Sequence, residues 1–276
     1  MSAQHSLSER GRTWFRALTG TDGMVAHAPR SVRAADAALG GKQTRFIAVV
    51  PDPGHRFPRA RRGEVGLDEA WALADQVRAV MHDDRDGERR PIVAIVDVPS
   101  QAYGRSEELL GIHLACAAAA DAYASARLAG HAVIALLVGG AMSGAFLAHG
   151  YQANRILALD SPAVMVHAMG KQAAARITRR SVTELEQLGE RIVPMAYDIH
   201  SYAQLGLLHR LIDGVNADTP AEADVERVRA ELLSAIADVR TGAPDLTSRW
   251  ASVAAQATRA ASIEVRRRLT EQWDAA

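Results

Sequence analysis

Apolar residues in this 276-residue chain follow two patterns, continuous runs and helical spacing. Continuous runs predict buried strands at residues 45–52 (RFIAVVPD), 91–99 (PIVAIVDVP) and 131–138 (HAVIALLV). Apolar positions at helical spacing predict helices over residues 67–81 and 107–126, which lie between those strands. Strands that alternate with helices favour an α/β fold built on a parallel sheet with both faces covered.

The remaining segments are shorter or mainly helical. A helix is expected at residues 34–39, closed by Gly40-Gly41, and short strands are expected at RILALD and AVMVHA. After Gly170 the spacing predicts helices over residues 173–177, 182–191, 195–205, 221–240 and 246–273.

These patterns divide the chain into three parts. We expect an N-terminal extension over 1–44, a core over 45–215, and a helical C-terminal region over 216–276 that packs on the core or on a partner.

Composition narrows the functional classes. The 48% hydrophobic content supports a sizeable core, and 32 basic and 32 acidic residues cancel, which argues against nucleic acid or an anionic membrane as partner. The single cysteine, Cys116, fits a reducing compartment, and the apolar runs are too short to span a bilayer. We therefore expect a cytoplasmic protein. Lys42 and Lys171 are the only lysines, so arginine patches would carry any recognition of anions. The alternative is that codon bias alone explains why nearly every basic residue is an arginine.

The stretch VIALLVGGAMSGAFLAHGYQ (133–152) is the first candidate site. A buried strand that turns into a helix at small residues presents free backbone N–H groups, which bind an anion and which a ligand oxygen can approach closely. The alternative is a tight connection that holds no ligand. The predicted amide donors are Gly140, Ala141, Ser143 and Gly144, with Gly139 and Met142 beside them as substrate contacts.

The segment VDVPSQAYGRSEE (96–108) is the second candidate site, because a buried strand again ends in small residues before a helix. The amides of Gln101 and Ala102 are the predicted donors, with Ser100 and Tyr103 as substrate contacts; the Tyr103 hydroxyl either donates a hydrogen bond or only packs.

Several familiar motifs do not fit. The serine in GAMSG is displaced by one position from a nucleophile elbow, and neither a dinucleotide fingerprint nor a Walker loop is present. No histidine pair has metal-ligand spacing, so no metal site is predicted. His149 follows Ser143 by six residues and either reaches a pocket or lies in the core.

Two strand-ending turns separated by one long helix resemble the crotonase superfamily. PIVAIVDVPSQAYGRSEELLG, VGGAMSGAFLAHG and LGLLHRLID are similar to the alpha-type domains of acyl-CoA carboxyltransferases. GAFLAHGYQANRILAL, KQAAARIT and MAYDIHSYAQLG resemble the gamma subunits of biotin-independent malonate decarboxylases. The resemblance implies a ClpP/crotonase-like spiral core of ββα units with a helical C-terminal region. Ser100-Gln101, Ala141 and Ser143 depart from the carboxyltransferase pattern, keeping the amides but narrowing the space for biotin.

The resemblance also implies a reaction and partners. A homologous beta subunit would share the active site, and a malonyl thioester would arrive on an acyl carrier protein through a phosphoribosyl-dephospho-CoA arm, charged with the help of an acyl-carrier transferase alpha subunit. This chain would bind no cofactor of its own. Backbone amides would stabilise the enolate, and Tyr103, His149 or water would protonate it. The alternatives are a biotin-dependent carboxyltransferase subunit, a noncatalytic scaffold and, less well supported because paired glutamates are missing, a crotonase hydratase.

Overall fold

The computed structural model describes residues 7–274. Its centre is a seven-stranded sheet in the order β1-β2-β3-β4-β5-β7, with β6 paired to the far end of β4. β1 and β2 are antiparallel, and every other pair is parallel. The strands are β1 (Val32–Leu39), β2 (Lys42–Val49), β3 (Ile92–Val98), β4 (Val133–Met142), β5 (Arg155–Leu159), β6 (Met165–His167) and β7 (Arg210–Ile212).

Helices cover the sheet and form most of the C-terminal part. Short 3₁₀ helices lie at Pro58–Ala60 and Val193–Met195. No helix between residues 7 and 274 is long and apolar enough to cross a membrane. The α-helices are α1 (Arg10–Thr19), α2 (Leu67–Asp83), α3 (Arg105–Leu109), α4 (Ile112–Leu128), α5 (Ser143–Ala148), α6 (Lys171–Thr178), α7 (Val182–Gly189), α8 (Ile199–Gln204), α9 (Glu222–Thr241), α10 (Ser248–Ala251), α11 (Val253–Thr258) and α12 (Ala260–Asp274).

The core lies around β3 and β4, whose apolar runs the sequence predicts as buried. Every residue of β3 is buried, because helices cover both sides of the sheet. Helix α1 packs on β2, β3 and β4 through Trp14, Phe15 and Leu18, and the Trp14 indole nitrogen donates to the Ala217 carbonyl at 2.9 Å.

The predicted helix at residues 34–39 is wrong, because this segment is β1. Gly40 and Gly41 have φ values of 58° and 79°, the two successive left-handed residues of a two-residue hairpin turn. The turn places Leu39 opposite Lys42, so the glycine pair joins two strands and does not end a helix. β2 begins at Lys42, two residues before the predicted boundary at 44, and the division of the chain into three parts stays a prediction.

Three further predicted helices differ in their bounds. The helix predicted at 195–205 is a 3₁₀ helix at Val193–Met195 followed by α8 at Ile199–Gln204. The helix predicted at 107–126 is split into α3 and α4 at Gly111, whose φ of 82° ends one helix before the next begins. The helix predicted at 246–273 consists of α10, α11 and α12, with the Ser252 hydroxyl accepting from the Ala255 amide at the start of α11.

Candidate active site

The Gly139-Gly140 pair contacts a carboxylate of the chain itself. β4 continues through both glycines to Met142, and Asp97 on the neighbouring β3 fills the space above them. The buried Asp97 carboxylate accepts hydrogen bonds from the Gly140 amide at 3.2 Å, the Gly11 amide at 3.1 Å and the Ser8 hydroxyl at 2.6 Å. A Cβ on Gly139 would lie 2.0 Å from Asp97 Oδ1. The geometry therefore contradicts a substrate contact at Gly139 and a free oxyanion donor at Gly140.

Ala141 and Met142 are also enclosed by the sheet. Ala141 is the register partner of Val98 on one side and of Val166 on the other, and its side chain is fully buried. Met142 is 6% exposed. Neither residue faces the cavity described below, so the structure does not support the predicted roles of Ala141 as a donor and Met142 as a substrate contact.

The turn after β3 is stabilised by a short parallel bridge. The Ala102 amide donates to the Val65 carbonyl at 2.8 Å, and the Val65 amide donates to the Ser100 carbonyl at 3.1 Å. The Ser100 hydroxyl donates to the Gln101 carbonyl at 2.8 Å. Ala102 is thus unavailable as the predicted donor, because its N–H already has a backbone acceptor. Tyr103 is 48% exposed and lies outside the cavity lining.

The turn after β4 retains the features of a binding site. Ser143 and Gly144 line a cavity of about 460 Å³ together with Phe146, Leu147, Tyr151, Val166, His167, Ala168, Val193, Pro194, Ala196, Tyr202, Leu205 and Leu207. This volume is in the range of small-molecule sites. The lining, taken from the part of the chain that the structure describes, contains no acid, lysine or arginine, so a charged carboxylate inside it would be poorly solvated.

Gly144 joins the two predicted turns. Its amide donates a 2.8 Å hydrogen bond to Oε1 of the half-buried Gln101 side chain. The neighbouring Ser143 has φ of 58°, a left-handed conformation that is uncommon for a residue with a side chain. The predicted donor at Gln101 is its backbone amide, which stays a prediction, while the structure shows the Gln101 side chain as an acceptor bound to Gly144, next to the residues that line the cavity.

His149 is a core residue. It is fully buried, its Nε2 lies 2.9 Å from the Ile95 carbonyl, and its Nδ1 lies 3.0 Å from the Tyr123 hydroxyl. Burial lowers the pKa of its imidazole to about 4, which keeps the ring neutral. Substrate contact and proton donation by His149 are therefore contradicted, because both ring nitrogens have partners in the core.

His167 is a cavity residue that the sequence prediction missed. It ends β6 as the register partner of Met142, and His167 and Ser143 both line the cavity. The signal in the sequence was a single histidine at the end of the apolar run AVMVHA. Within residues 7–274, no three His, Cys, Asp or Glu side chains are arranged to hold a metal ion.

Comparison with known proteins decides the family. The family model described as the malonate decarboxylase gamma subunit matches residues 60–273. The chain belongs to the malonate decarboxylase gamma subunit family. The resemblance to malonate decarboxylase gamma subunits that the sequence indicated is confirmed, and the members of this family are subunits of an enzyme complex.

The similarity to solved malonate decarboxylase structures covers almost the whole of this chain. The chain is 58% identical to a chain of a Pseudomonas malonate decarboxylase hetero-tetramer in complex with coenzyme A, covering 96% of this chain and 99% of that one with a TM-score of 0.91. It is 57% identical to a chain of the Pseudomonas MdcD-MdcE hetero-dimer, covering 96% and 100% with a TM-score of 0.89. The predicted α/β, crotonase-like fold is confirmed.

One curated relative is a carboxyltransferase. The gamma-family chain is 35% identical over 189 residues to the malonyl-S-ACP:biotin-protein carboxyltransferase MADD of Malonomonas rubra. The match covers 67% of this chain and 61% of the relative's length.

Proposed function

We propose that this chain, with an MdcD-type beta subunit, decarboxylates a malonyl thioester carried by an acyl carrier protein. Membership of the gamma subunit family supports the reaction class, and 57% identity to a chain of an MdcD-MdcE hetero-dimer supports the partner. The observation that carries the site assignment is the Gly144 amide, which belongs to a residue lining the uncharged cavity and donates to the side-chain oxygen of Gln101.

Decarboxylation of a malonyl thioester needs a hydrogen-bond donor at the oxygen where negative charge develops. Breakage of the bond between C2 and the carboxylate releases carbon dioxide and leaves the electron pair in an enolate, whose negative charge gathers on the thioester oxygen. A proton from water, added at C2, then gives the acetyl thioester. A preorganised N–H group stabilises this oxygen more than the ground-state carbonyl oxygen and so lowers the barrier. The uncharged lining of the cavity favours loss of the carboxylate as a neutral molecule.

The Gln101 side chain shows where an acceptor oxygen can bind the Gly144 amide. Its carboxamide oxygen lies 2.8 Å from the Gly144 nitrogen, the geometry that an enolate oxygen would need. We infer that the thioester oxygen replaces Gln101 Oε1 at this amide when substrate binds. The half-buried Gln101 side chain can move aside, whereas the Asp97 carboxylate at Gly140 is buried and has two further donors.

The beta subunit would cover the neighbouring surface. Leu109 at the end of α3, Leu110 in the link that follows it and Leu114 in the first turn of α4 are 77%, 63% and 61% exposed, close after the Ser100–Gly104 turn. Adjacent exposed leucines of this kind mark protein interfaces. An interface here would place the partner's surface beside both turns.

The carrier arm would enter the cavity from the open side. A volume of about 460 Å³ accommodates the malonyl group and the thioester end of a phosphoribosyl-dephospho-CoA arm, and the rest of the arm would lie outside. In this proposal the arm belongs to the carrier, an alpha-type acyl-carrier transferase supplies the charged carrier, and this chain needs no cofactor of its own.

A second candidate function is transfer of the carboxyl group to a biotin protein, which the similarity to MADD favours. Ser143 lines the cavity and the Gln101 side chain contacts the neighbouring Gly144, so the two side chains leave less room beside this turn for a bicyclic ring than glycine and alanine would. This argument favours decarboxylation without biotin.

The test is a reconstituted assay. The chain is co-expressed with its beta partner and supplied with malonyl-carrier, and carbon dioxide and acetyl-carrier are measured without biotin. Turnover without biotin supports the proposal, whereas turnover that requires a biotin protein supports the second candidate.

The alternative of a noncatalytic scaffold is tested with two variants at Ser143. Ser143→Leu places a larger side chain in the cavity lining, and Ser143→Gly, which suits the positive φ, is the control. If the Leu variant forms the complex and retains full activity, the cavity is not the active site.

A further inference from the structure

The position of His167 follows from the fork in the sheet. The first half of β4 pairs with β5, and the second half, Gly140 to Met142, pairs with β6. His167 is the last residue of β6 and lies opposite Met142. Because Ser143 follows Met142, the imidazole and the Ser143–Gly144 turn line the same cavity from adjacent strand ends.

Contacts on two sides fix the orientation of the His167 ring. Its Nδ1 lies 3.2 Å from the Met169 amide nitrogen and 3.0 Å from the Met169 carbonyl. The ring stacks on Tyr197 with a centroid distance of 3.9 Å and an interplanar angle of 12°. The Lys171 ammonium lies 5.4 Å from the centroid of the Tyr197 ring, in a cation–π contact.

The other ring nitrogen is available to a ligand. Among the described residues, Nε2 of His167 has no hydrogen-bond partner, and it is not one of the enclosed polar atoms. No charged side chain of the described residues contributes to the pKa of His167, which burial lowers below its usual value. The ring is therefore neutral near pH 7 and has a single N–H.

We propose that His167 is a catalytic residue of the decarboxylation, and that its Nε2–H donates a hydrogen bond to the thioester oxygen opposite the Gly144 amide. This inference rests on the proposed function. Nδ1 lies within hydrogen-bond distance of both the Met169 amide nitrogen and the Met169 carbonyl oxygen, and we assign the tautomer in which the amide donates to Nδ1, so that the ring hydrogen lies on Nε2. A neutral imidazole stabilises an enolate oxygen without placing a full charge beside the substrate. No proton is transferred in this step.

The test compares two amide side chains that differ in reach. The nitrogen of Gln at position 167 can reach the place of Nε2, whereas the nitrogen of Asn reaches only that of Nδ1. We measure kcat and KM for malonyl-carrier with the His167→Gln and His167→Asn complexes, together with complex formation and thermal unfolding. His82→Asn, at an exposed histidine on α2, is the matched control.

We expect His167→Asn to lower kcat by about 100-fold with KM nearly unchanged, the effect of losing one oxyanion donor, and His167→Gln to retain most of kcat. Equal kcat values for both variants and the wild type would overturn the inference. So would equal losses in both variants, which would show a structural role. A wild-type complex that releases no carbon dioxide from malonyl-carrier would instead contradict the proposed function itself, which separates the two failures.

Discussion

Gln101 Oε1 accepts a hydrogen bond from the Gly144 amide at 2.8 Å, so one side chain joins the turn after β3 to the turn after β4. The two turns lie 43 residues apart in the chain, and adjacent parallel strands bring them together. The bond also shows that an acceptor oxygen fits at the amide to which we assign the enolate.

Gln101→Glu is predicted to inhibit the complex. A carboxylate makes a stronger, charge-assisted bond to the Gly144 amide than a carboxamide does, so it competes with the thioester oxygen. We expect kcat/KM for malonyl-carrier to fall by about tenfold, which corresponds to about 1.4 kcal/mol of added competition. Gln101→Ala frees the amide and should retain activity. Equal activity in the Glu variant and the wild type would show that Gln101 does not occupy the substrate's position.

Asp97 is predicted to be a structural residue whose loss destabilises the fold. Asp97→Ala leaves the Gly140 and Gly11 amides and the Ser8 hydroxyl without their acceptor, and should lower the free energy of unfolding by about 3 kcal/mol. Urea denaturation of the isolated chain measures this loss, and a change below about 0.5 kcal/mol, the range of an ordinary surface substitution, would contradict the role.

The contact of Asp97 with β4 also predicts that a side chain at position 139 destabilises the chain. Gly139→Ala places a Cβ 2.0 Å from Asp97 Oδ1 and should destabilise the chain, whereas Gly87→Ala, where a Cβ meets nothing within 4 Å, should leave the unfolding midpoint nearly unchanged. Equal midpoints for the two variants would argue against the close approach of Asp97 to β4.

The buried His149 is predicted to make the folded chain less stable in acid. Its pKa is about 4 in the folded chain and about 6.5 in the unfolded chain, so the unfolded state binds the additional proton between these values. Stability should fall as the pH drops from 6.5 towards 4, by about 3 kcal/mol from this group. His149→Gln should be less stable at pH 7 and lack this part of the pH dependence. Parallel pH profiles of the unfolding free energy in the two proteins would contradict the prediction.

The α3–α4 leucines are predicted to bind the beta subunit. Leu110→Asp and Leu114→Asp should weaken the complex by at least tenfold in Kd, because each places a charge in an apolar contact. Leu128→Asp is the matched control, since Leu128 is 64% exposed at the other end of α4. Titration of the purified partner measures the three affinities. Equal affinities for all three variants would place the interface elsewhere.

The central strands could be predicted from the sequence because their apolar runs are continuous and the covering helices have clear spacing. β1 could not, because alanine fits either a helix or a strand, and only the hairpin φ values of Gly40 and Gly41 decide between them. β7 was missed because its three residues are too few for a periodic signal.

The candidate site was only partly predictable. Small residues marked Ser143 and Gly144 correctly as residues at a cavity, but the same signal selected Gly139, whose small size admits Asp97. Whether a glycine leaves room for a ligand or for a neighbouring side chain depends on the residue on the next strand, which the local sequence does not show. The position of His167 depends on β6 leaving the order of the other strands to pair with the end of β4.

The most direct test of the central claim is to remove the Gly144 N–H alone. Replacing Gly144 with glycolic acid turns its amide into an ester and preserves the shape of the turn, and the same replacement at Gly41, in the exposed hairpin, is the control. We measure kcat for decarboxylation of malonyl-carrier by the assembled complex. The account predicts a fall of about 10²- to 10³-fold at position 144 with KM nearly unchanged, and no change at position 41. A rate at position 144 within about twofold of the wild type would contradict the claim that this amide stabilises the enolate.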